Sequence, residues 1–278
     1  MSFQKLNIFT PLGLHELGKR KNNEDYLYPT LDDVSLDNRV FLVCDGVGGH
    51  ERGEVASEIV AKSFAELILK NYSEGADEEG VAIVFEKVQG LIDKYLEENP
   101  EAKGMGTTMT FLQLHKKGAT VAHCGDSRVY LIRNGKIIWK TNDHSYVNEL
   151  LQRGLITEEE AIDHPKKNVI SRAVMGKSMK EVVPDVALFN DLEPYDVFFM
   201  CSDGILESMT DNGLEYLFSS QMTDLERIQK IKETCAETSK DNHTCFLIRL
   251  NEVEKEEEVS DESYEGKGLL SRLFERIF

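Results

Sequence analysis

A chain of 278 residues, 41% hydrophobic and 29% charged, is long enough for one well-filled core and too mixed in composition for a fibrous or disordered protein. No apolar run approaches the ~20 residues that span a bilayer, and the start lacks the basic-then-apolar pattern of a secretory leader, so a cytoplasmic protein is expected. The net charge of −18 repels nucleic acid, and no basic stripe offsets it.

In chain order, the first feature is a decoy. Gly13-Leu-His-Glu-Leu-Gly18-Lys19 stops one residue short of a P-loop: Arg20 follows where a Ser or Thr must reach Mg²⁺, and KNNED does not open a helix. Next, Arg39–Asp45 (RVFLVCD) is a short apolar run ending in Asp-Gly, a pattern that Asp196–Asp203 (DVFFMCSD) repeats later. Both predict strands buried on two faces, with Asp45 and Asp203 at strand ends and Gly46 and Gly204 permitting a sharp exit. Val55, Ile59, Val60, Phe64, Leu67 and Ile68 recur at helical spacing and predict an amphipathic helix over Glu54–Leu69; a second covers Val81–Glu97. Thr107–His115 and Ala119–Cys124 read as strands, and Asn134-Gly135 inside VYLIRNGKIIWK predicts a two-residue hairpin. Residues 145–176 change to short helices and loop, a lid-like insertion carrying Lys166, Lys167 and Arg172, with Lys177 just beyond. A helix over Asp224–Ser239 and a strand over His243–Leu250 end the body. Strands in consecutive runs and helices grouped apart indicate an α+β fold with mainly antiparallel sheets.

Residues 251–267 (NEVEKEEEVSDESYEGK) are expected to be a solvated acidic linker, too polar to pack. In the terminal 268–278, Leu269, Leu270, Leu273, Phe274, Ile277 and Phe278 would line one side of a short helix. Three readings stay open for it: an unpacked tail, docking on the body or on an unidentified partner, or attachment to a membrane surface, which its few basic residues disfavour.

The five cysteines are odd in number and contain no CxxC pair, against a disulfide framework or a zinc knuckle. His123-Cys124 followed by Arg128 leaves three residues between Cys and Arg, whereas the cysteine-nucleophile phosphatases need five. No Gly-x-Ser-x-Gly elbow exists either. Covalent catalysis therefore has no familiar nucleophile.

Carboxylates offer the stronger constellation: Glu24 and Asp25 after Arg20, Asp45 before Gly46, Asp126 in Gly-Asp-Ser-Arg, Asp203 in Ser-Asp-Gly, and Asp241 in Asp-Asn-His-Thr. Several end apolar runs, where an unpaired carboxylate is costly. A divalent cation removes that cost, and oxygen-only ligands select hard Mg²⁺ or Mn²⁺. Asp-Gly alone is a common turn. Only the joint occurrence argues for a metal centre.

With these motifs assembled, the sequence resembles the metal-dependent protein phosphatases of the 2C type, in their bacterial form. The resemblance covers residues ~13 to 250, in order through GKRKNNED, FLVCDGVGGHERGEVAS, GMGTTMT, HCGDSRVYLIRNG, NDHSYVNEL, HPKKNVISRAVMG, FFMCSDGILE and DNHTCFLIRL. It implies a four-layer α-β-β-α sandwich, with residues 1–250 as the catalytic domain and 145–176 as its flap. It also implies two Mn²⁺ or Mg²⁺ ions per chain, bridged by Asp45. Asp203 and Asp241 then complete the first metal's shell, with the Gly46 carbonyl on one ion. Glu24, aided by Asp25, holds water on the second. Arg20 takes the phosphate, and Asp126 with Asp203 binds a third, weaker ion. For Asp126, a hydrogen bond to Ser127 or Arg128 is the competing reading. The implied reaction is hydrolysis of phosphoserine and phosphothreonine in proteins by a metal-bridging water, opposing a Ser/Thr kinase. Some relatives carry a histidine after Asp-Gly as general acid. Here that position is Val47, which leaves the role unassigned, and His50 is expected to shape its loop. Lys166, Lys167 and Arg172 are read as either substrate-facing or ordinary solvated charges. Two rivals remain: a catalytically silent phosphoprotein-binding scaffold on this fold, and a metal phosphodiesterase or nuclease, which the negative charge disfavours.

Overall fold

The computed structural model describes residues 3–47, 52–179 and 182–256. Strands β1 (Phe3–Ile8), β2 (Leu12–Glu16), β3 (Asp25–Tyr28) and β4 (Val40–Val47) lead into helices α1 (Gly53–Asn71) and α2 (Glu78–Glu98). Then come β5 (Gly106–Thr107), β6 (Met109–His115), β7 (Gly118–Cys124), β8 (Arg128–Arg133) and β9 (Lys136–Lys140). Two short helices follow, α3 (Tyr146–Gln152) and α4 (Glu158–Ile162), before β10 (Asp185–Phe189) and β11 (Val197–Cys201). Helices α5 (Asp203–Leu206), α6 (Asp211–Ser219) and α7 (Asp224–Thr238) precede the last strand, β12 (His243–Glu256).

The strands form two antiparallel sheets. One has the order β1-β12-β11-β8-β9, with β2 also on β12; the other has β10-β7-β6-β4-β3, with β5 also on β4. The unbroken apolar runs are explained by what each face meets. Phe41 and Val43 of β4 turn toward the other sheet and pack with Phe198, Met200, Phe246 and Ile248. Val40, Leu42 and Cys44 turn outward onto Val60, Phe64 and Ile68 of α1 and Val84 of α2. In β11 the same alternation sends Phe198 and Met200 inward and Val197, Phe199 and Cys201 onto α6 and α7. A strand with a core on each side has no polar position to spare, so period-2 alternation vanishes. The layers run helix, sheet, sheet, helix, as the family resemblance implied.

The Asn134-Gly135 turn has φ of 50° and 76°, the left-handed pair that a tight hairpin requires. A Cβ on Gly135 would lie 2.7 Å from Ser219 Cα, because the end of α6 packs on this turn. Several expectations need correction. The local sequence pattern does not predict strands β1, β2, β3 and β10 or helices α5 and α6. Asp45 does not end its strand, since β4 continues to Val47. The final strand continues to Glu256 and pairs with β1, Leu6 opposite Val253, so residues 251–256 are sheet rather than linker. Val253 packs against the core between the sheets, which holds this otherwise polar stretch in place. Residues 257–278, with the expected amphipathic end, lie outside the described residues, as does His50. Among the described residues, no helix is long and apolar enough to cross a membrane.

Candidate active site

The two sheets bring their acids together at one end of the sandwich. Antiparallel pairing of β3 with β4 sets Asp25 opposite Asp45. In the other sheet β11 and β12 pair with Cys201 opposite Cys245, so Asp203, just past β11, and Asp241, just before β12, emerge at the same edge. The Asp45 and Asp203 side chains hydrogen-bond each other. Two carboxylates can do this only by sharing a proton.

Gly46 and Gly204 serve close approach rather than a chain exit. A Cβ on Gly46 would fall 2.4 Å from the Gly53 carbonyl carbon and 2.8 Å from the Glu24 carbonyl oxygen. One on Gly204 would fall 1.9 Å from the Asn242 carbonyl oxygen. The Gly46 N–H donates to the Glu24 carbonyl at 3.0 Å, and Ser57 Oγ donates to the same oxygen at 2.6 Å. Together these contacts seat the start of α1 against both β4 and the loop that carries Glu24.

Asp25 is 3% exposed and lies beneath the cluster, where it accepts from Ser202 Oγ at 2.8 Å. Burial, with Asp203 and Asp241 nearby, pushes its carboxyl up to about 7, although the hydrogen bonds from Thr244 and Ser202 pull the other way. Asp126 is likewise pushed up to about 7, by burial first and then by Asp203 and Asp143. Asp45 stands well above the usual carboxylate range through burial and the charges of Asp25 and Asp203. Asp203 and Glu24 are also raised, burial being the leading cause for both. Arg20 is exposed and hydrogen-bonds Asp241 through its Nη2.

The sequence-predicted acids therefore meet, but they do not close tightly. Among the described residues, no three of them bring one oxygen each within 4.8 Å of one another. Instead Asp25 Oδ1, Asp126 Oδ1 and Asp203 Oδ1 are buried with no hydrogen-bond partner. Partnerless buried carboxylate oxygens facing like charges are costly, and divalent cations offset that cost. The donor set is all oxygen, which fits Mg²⁺ or Mn²⁺. The competing reading of Asp126 finds no support in its neighbours: Ser127 Oγ pairs with Thr108 Oγ1 at 2.7 Å, and Arg128 forks onto Asp143 with both bonds at 2.7 Å. Arg172 is held by Asp185 at 2.8 Å, Lys177 pairs with Glu86, and Lys166 stands over the Tyr146 ring at 4.8 Å.

The protein phosphatase 2C model matches residues 13–239. The chain belongs to the protein phosphatase 2C family. It is 31% identical to the serine/threonine phosphatase stp of Listeria welshimeri, an alignment covering 81% of this chain and 90% of the relative. The crystal structure of serine/threonine phosphatase Stp1 from Staphylococcus aureus superposes with a TM-score of 0.75 at 30% identity, covering 89% of this chain and 98% of that one. The catalytic domain of the serine/threonine protein phosphatase PstP, solved in complex with 2 manganese ions, gives 0.72 at 28% identity, covering 91% and 100%. The chain is thus a serine/threonine protein phosphatase of a metal-dependent family, and the silent-scaffold alternative finds no support among these relatives.

The phosphatase also uses residues that the sequence reading passed over. Asn242, 4% exposed, accepts from the Glu24 N–H at 2.9 Å and donates to the carbonyls of Leu17 at 2.8 Å and Asn22 at 3.0 Å. It ties the Arg20–Glu24 loop to the strand that follows Asp241. Thr108 Oγ1 accepts from the Asp45 N–H at 2.9 Å, and Thr107 Oγ1 donates to the Asp45 carbonyl at 2.9 Å. Asn242 follows Asp241 directly, and Thr107 and Thr108 lie in the GMGTTMT motif; these were the available signals. Asn242→Ala should leave the Glu24 amide and two carbonyls without partners, at about 1–3 kcal/mol each where they stay dry. Urea denaturation should report that loss, with a parallel fall in phosphopeptide turnover.

Proposed function

We propose that the cluster of acids hydrolyses phosphoserine and phosphothreonine in proteins with Mn²⁺ or Mg²⁺ held by Asp45, Asp203 and Asp241, the Gly46 carbonyl, and, through water, Glu24. The observation that carries this reading is the set of buried oxygens on Asp25, Asp126 and Asp203 that lack hydrogen-bond partners beside Asp45. Bound cations supply positive charge for the phosphoryl oxygens and make water acidic near neutral pH. Asp25 acts from below: it places a second negative charge behind Asp45 and is fixed there by Ser202. Asp126 is the candidate ligand of a third, weaker ion with Asp203.

The exposed guanidinium of Arg20 contacts Asp241 through one nitrogen, which leaves further donors for the equatorial phosphoryl oxygens of a substrate. Loss of charged hydrogen bonds worth about 1.5–3 kcal/mol predicts that Arg20→Ala lowers kcat/KM by roughly 10- to 100-fold. Arg20→Lys should recover only part, because an ammonium cannot fork. Steady-state kinetics on a phosphothreonine peptide measure both.

The decisive experiment is hydrolysis of phosphoserine and phosphothreonine peptides with Mn²⁺ and then in excess chelator. Activity that persists without divalent cations, or that appears only on phosphodiesters, would falsify the assignment. Opposition to a Ser/Thr kinase in the cytoplasm belongs to the same proposal, and phosphothreonine proteins should accumulate on deleting the gene if it holds.

A further inference from the structure

A second cluster of potential ligands lies at the root of the segment between β9 and β10. His123 of β7, His144 just ahead of α3, and Asp185 at the start of β10 bring one ligating atom each within 4.8 Å of one another. The two imidazoles stack with centroids 4.4 Å apart and planes 20° from parallel. His123 Nε2 meets the Asn142 carbonyl at 2.8 Å; a carbonyl only accepts, so Nε2 carries the proton and Nδ1 keeps its lone pair. His144 is buried, and its Nε2 lies 3.2 Å from Asp185 Oδ2 without a well-directed hydrogen bond. The other Asp185 oxygen is held by Arg172 at 2.8 Å, which fixes the carboxylate.

We propose that His123 Nδ1, His144 Nε2 and an Asp185 oxygen form a binding site for a borderline divalent cation of the Zn²⁺ class, separate from the carboxylate centre. Two imidazoles and one carboxylate favour such ions over hard Mg²⁺. The bond from His123 Nε2 to a backbone carbonyl is the outer contact that orients ligating histidines. Burial lowers the basicity of both rings, His144 down to about 4, so both are neutral, the form that binds metal, at physiological pH. Two contacts oppose the cation, the first being the approach of the proton-bearing His144 Nε2 to Asp185 Oδ2 at 3.2 Å, which the ion would replace. In the second, the Gly125 N–H points at His144 Nδ1 from 3.2 Å, and ligation through Nε2 moves the ring proton onto Nδ1, so this long hydrogen bond opens on binding.

The cation would join three pieces of chain. His144 is anchored by its own N–H to the Gly125 carbonyl at 2.9 Å, and its carbonyl accepts from Ser171 N–H at 2.8 Å. Zn²⁺ here therefore clamps the returning segment at Ser171 and Arg172 to β7, one turn from Asp126.

The test uses the full chain in excess Mg²⁺, which competes for the carboxylate centre. Zn²⁺ is titrated against a chromophoric chelator, and X-ray absorption at the zinc edge counts imidazole ligands. The expected result is stoichiometric Zn²⁺ with two imidazoles in its shell, a raised thermal midpoint, and the same binding in Asp45→Asn. Asp185→Asn and His123→Gln should each weaken binding about tenfold or more. Asp185 is half exposed, so its variant should fold. An oxygen-only zinc shell, or Zn²⁺ binding lost in Asp45→Asn but unaltered in Asp185→Asn and His123→Gln, overturns the proposal, as does no binding at all. None of these readouts depends on phosphatase turnover.

Discussion

Asp203→Asn is expected to cut phosphopeptide turnover severely while making the chelated protein more stable than wild type. The two effects have one cause. Asp203 shares a proton with Asp45 in the metal-free protein and faces the charge of Asp241, so burial and repulsion hold its carboxyl above the usual range. An asparagine of the same shape keeps the contact, because its amide N–H donates to Asp45 where the shared proton stood. It leaves the pair's charge at −1 but spares folding the uptake of a proton, which costs free energy above the ordinary carboxylate range. A gain of about 1 kcal/mol from that source would raise Tm by roughly 2–4 °C for a domain of this size. The same change removes a ligand from the proposed cation centre, whose electrostatic help is worth several kcal/mol, so turnover should fall by about 10³-fold or more. Calorimetry in chelator and kinetics in Mn²⁺ check the two halves separately. A variant that is less stable than wild type without metal would mean that Asp203 is a structural acid.

The second large effect is a pH dependence with a defined sign. Asp126 stands at about 7 in the folded, metal-free protein, against 3.8 ordinarily. Folding therefore takes up a proton between these values, and stability falls as pH rises from about 4 to about 7, with the penalty complete above that. Buried histidines act oppositely in part of this window: His115 and His144 are pushed down to about 4, so their folding term improves as pH rises toward 6.5. The difference between wild type and Asp126→Asn isolates the acid. In chelator, that difference should be near zero at pH 4 and favour the variant by about 2 kcal/mol at pH 7, after allowance for partial solvent screening. Saturating Mn²⁺ should shrink the gap, since cations replace the proton. Urea denaturation across pH measures it, and a gap that does not grow between pH 4 and 7 would show that Asp126 is an ordinary solvated carboxylate.

Local pattern carried much of this protein. The two apolar runs ending in Asp-Gly, the amphipathic spacing of Val60, Phe64 and Ile68, and the Asn134-Gly135 turn each express a constraint that neighbouring residues satisfy alone. Strands β1, β2, β3 and β10 were not legible because their stability comes from partners far along the chain. Asn7 to Glu252 and Leu6 to Val253 are pairings no local window contains. The acidic stretch 251–256 read as linker for the same reason, since its strand state depends on β1 and on a single inward Val253.

The sequence alone singled out the acids proposed for the site, because carboxylates at the ends of apolar runs have few structural uses and their ordered motifs match a family. Only the tertiary structure decided what stands behind them. Gly46 and Gly204 read as exits but are gaps into which Gly53 and Asn242 pack. Asn242, Thr108 and Ser202 became site residues because hydrogen bonds between distant segments tie them to Glu24, Asp45 and Asp25 in turn. Arg172, a free charge in the sequence, is claimed by Asp185. Side-chain chemistry is written residue by residue, whereas burial and repulsion depend on which residues the two sheets bring face to face.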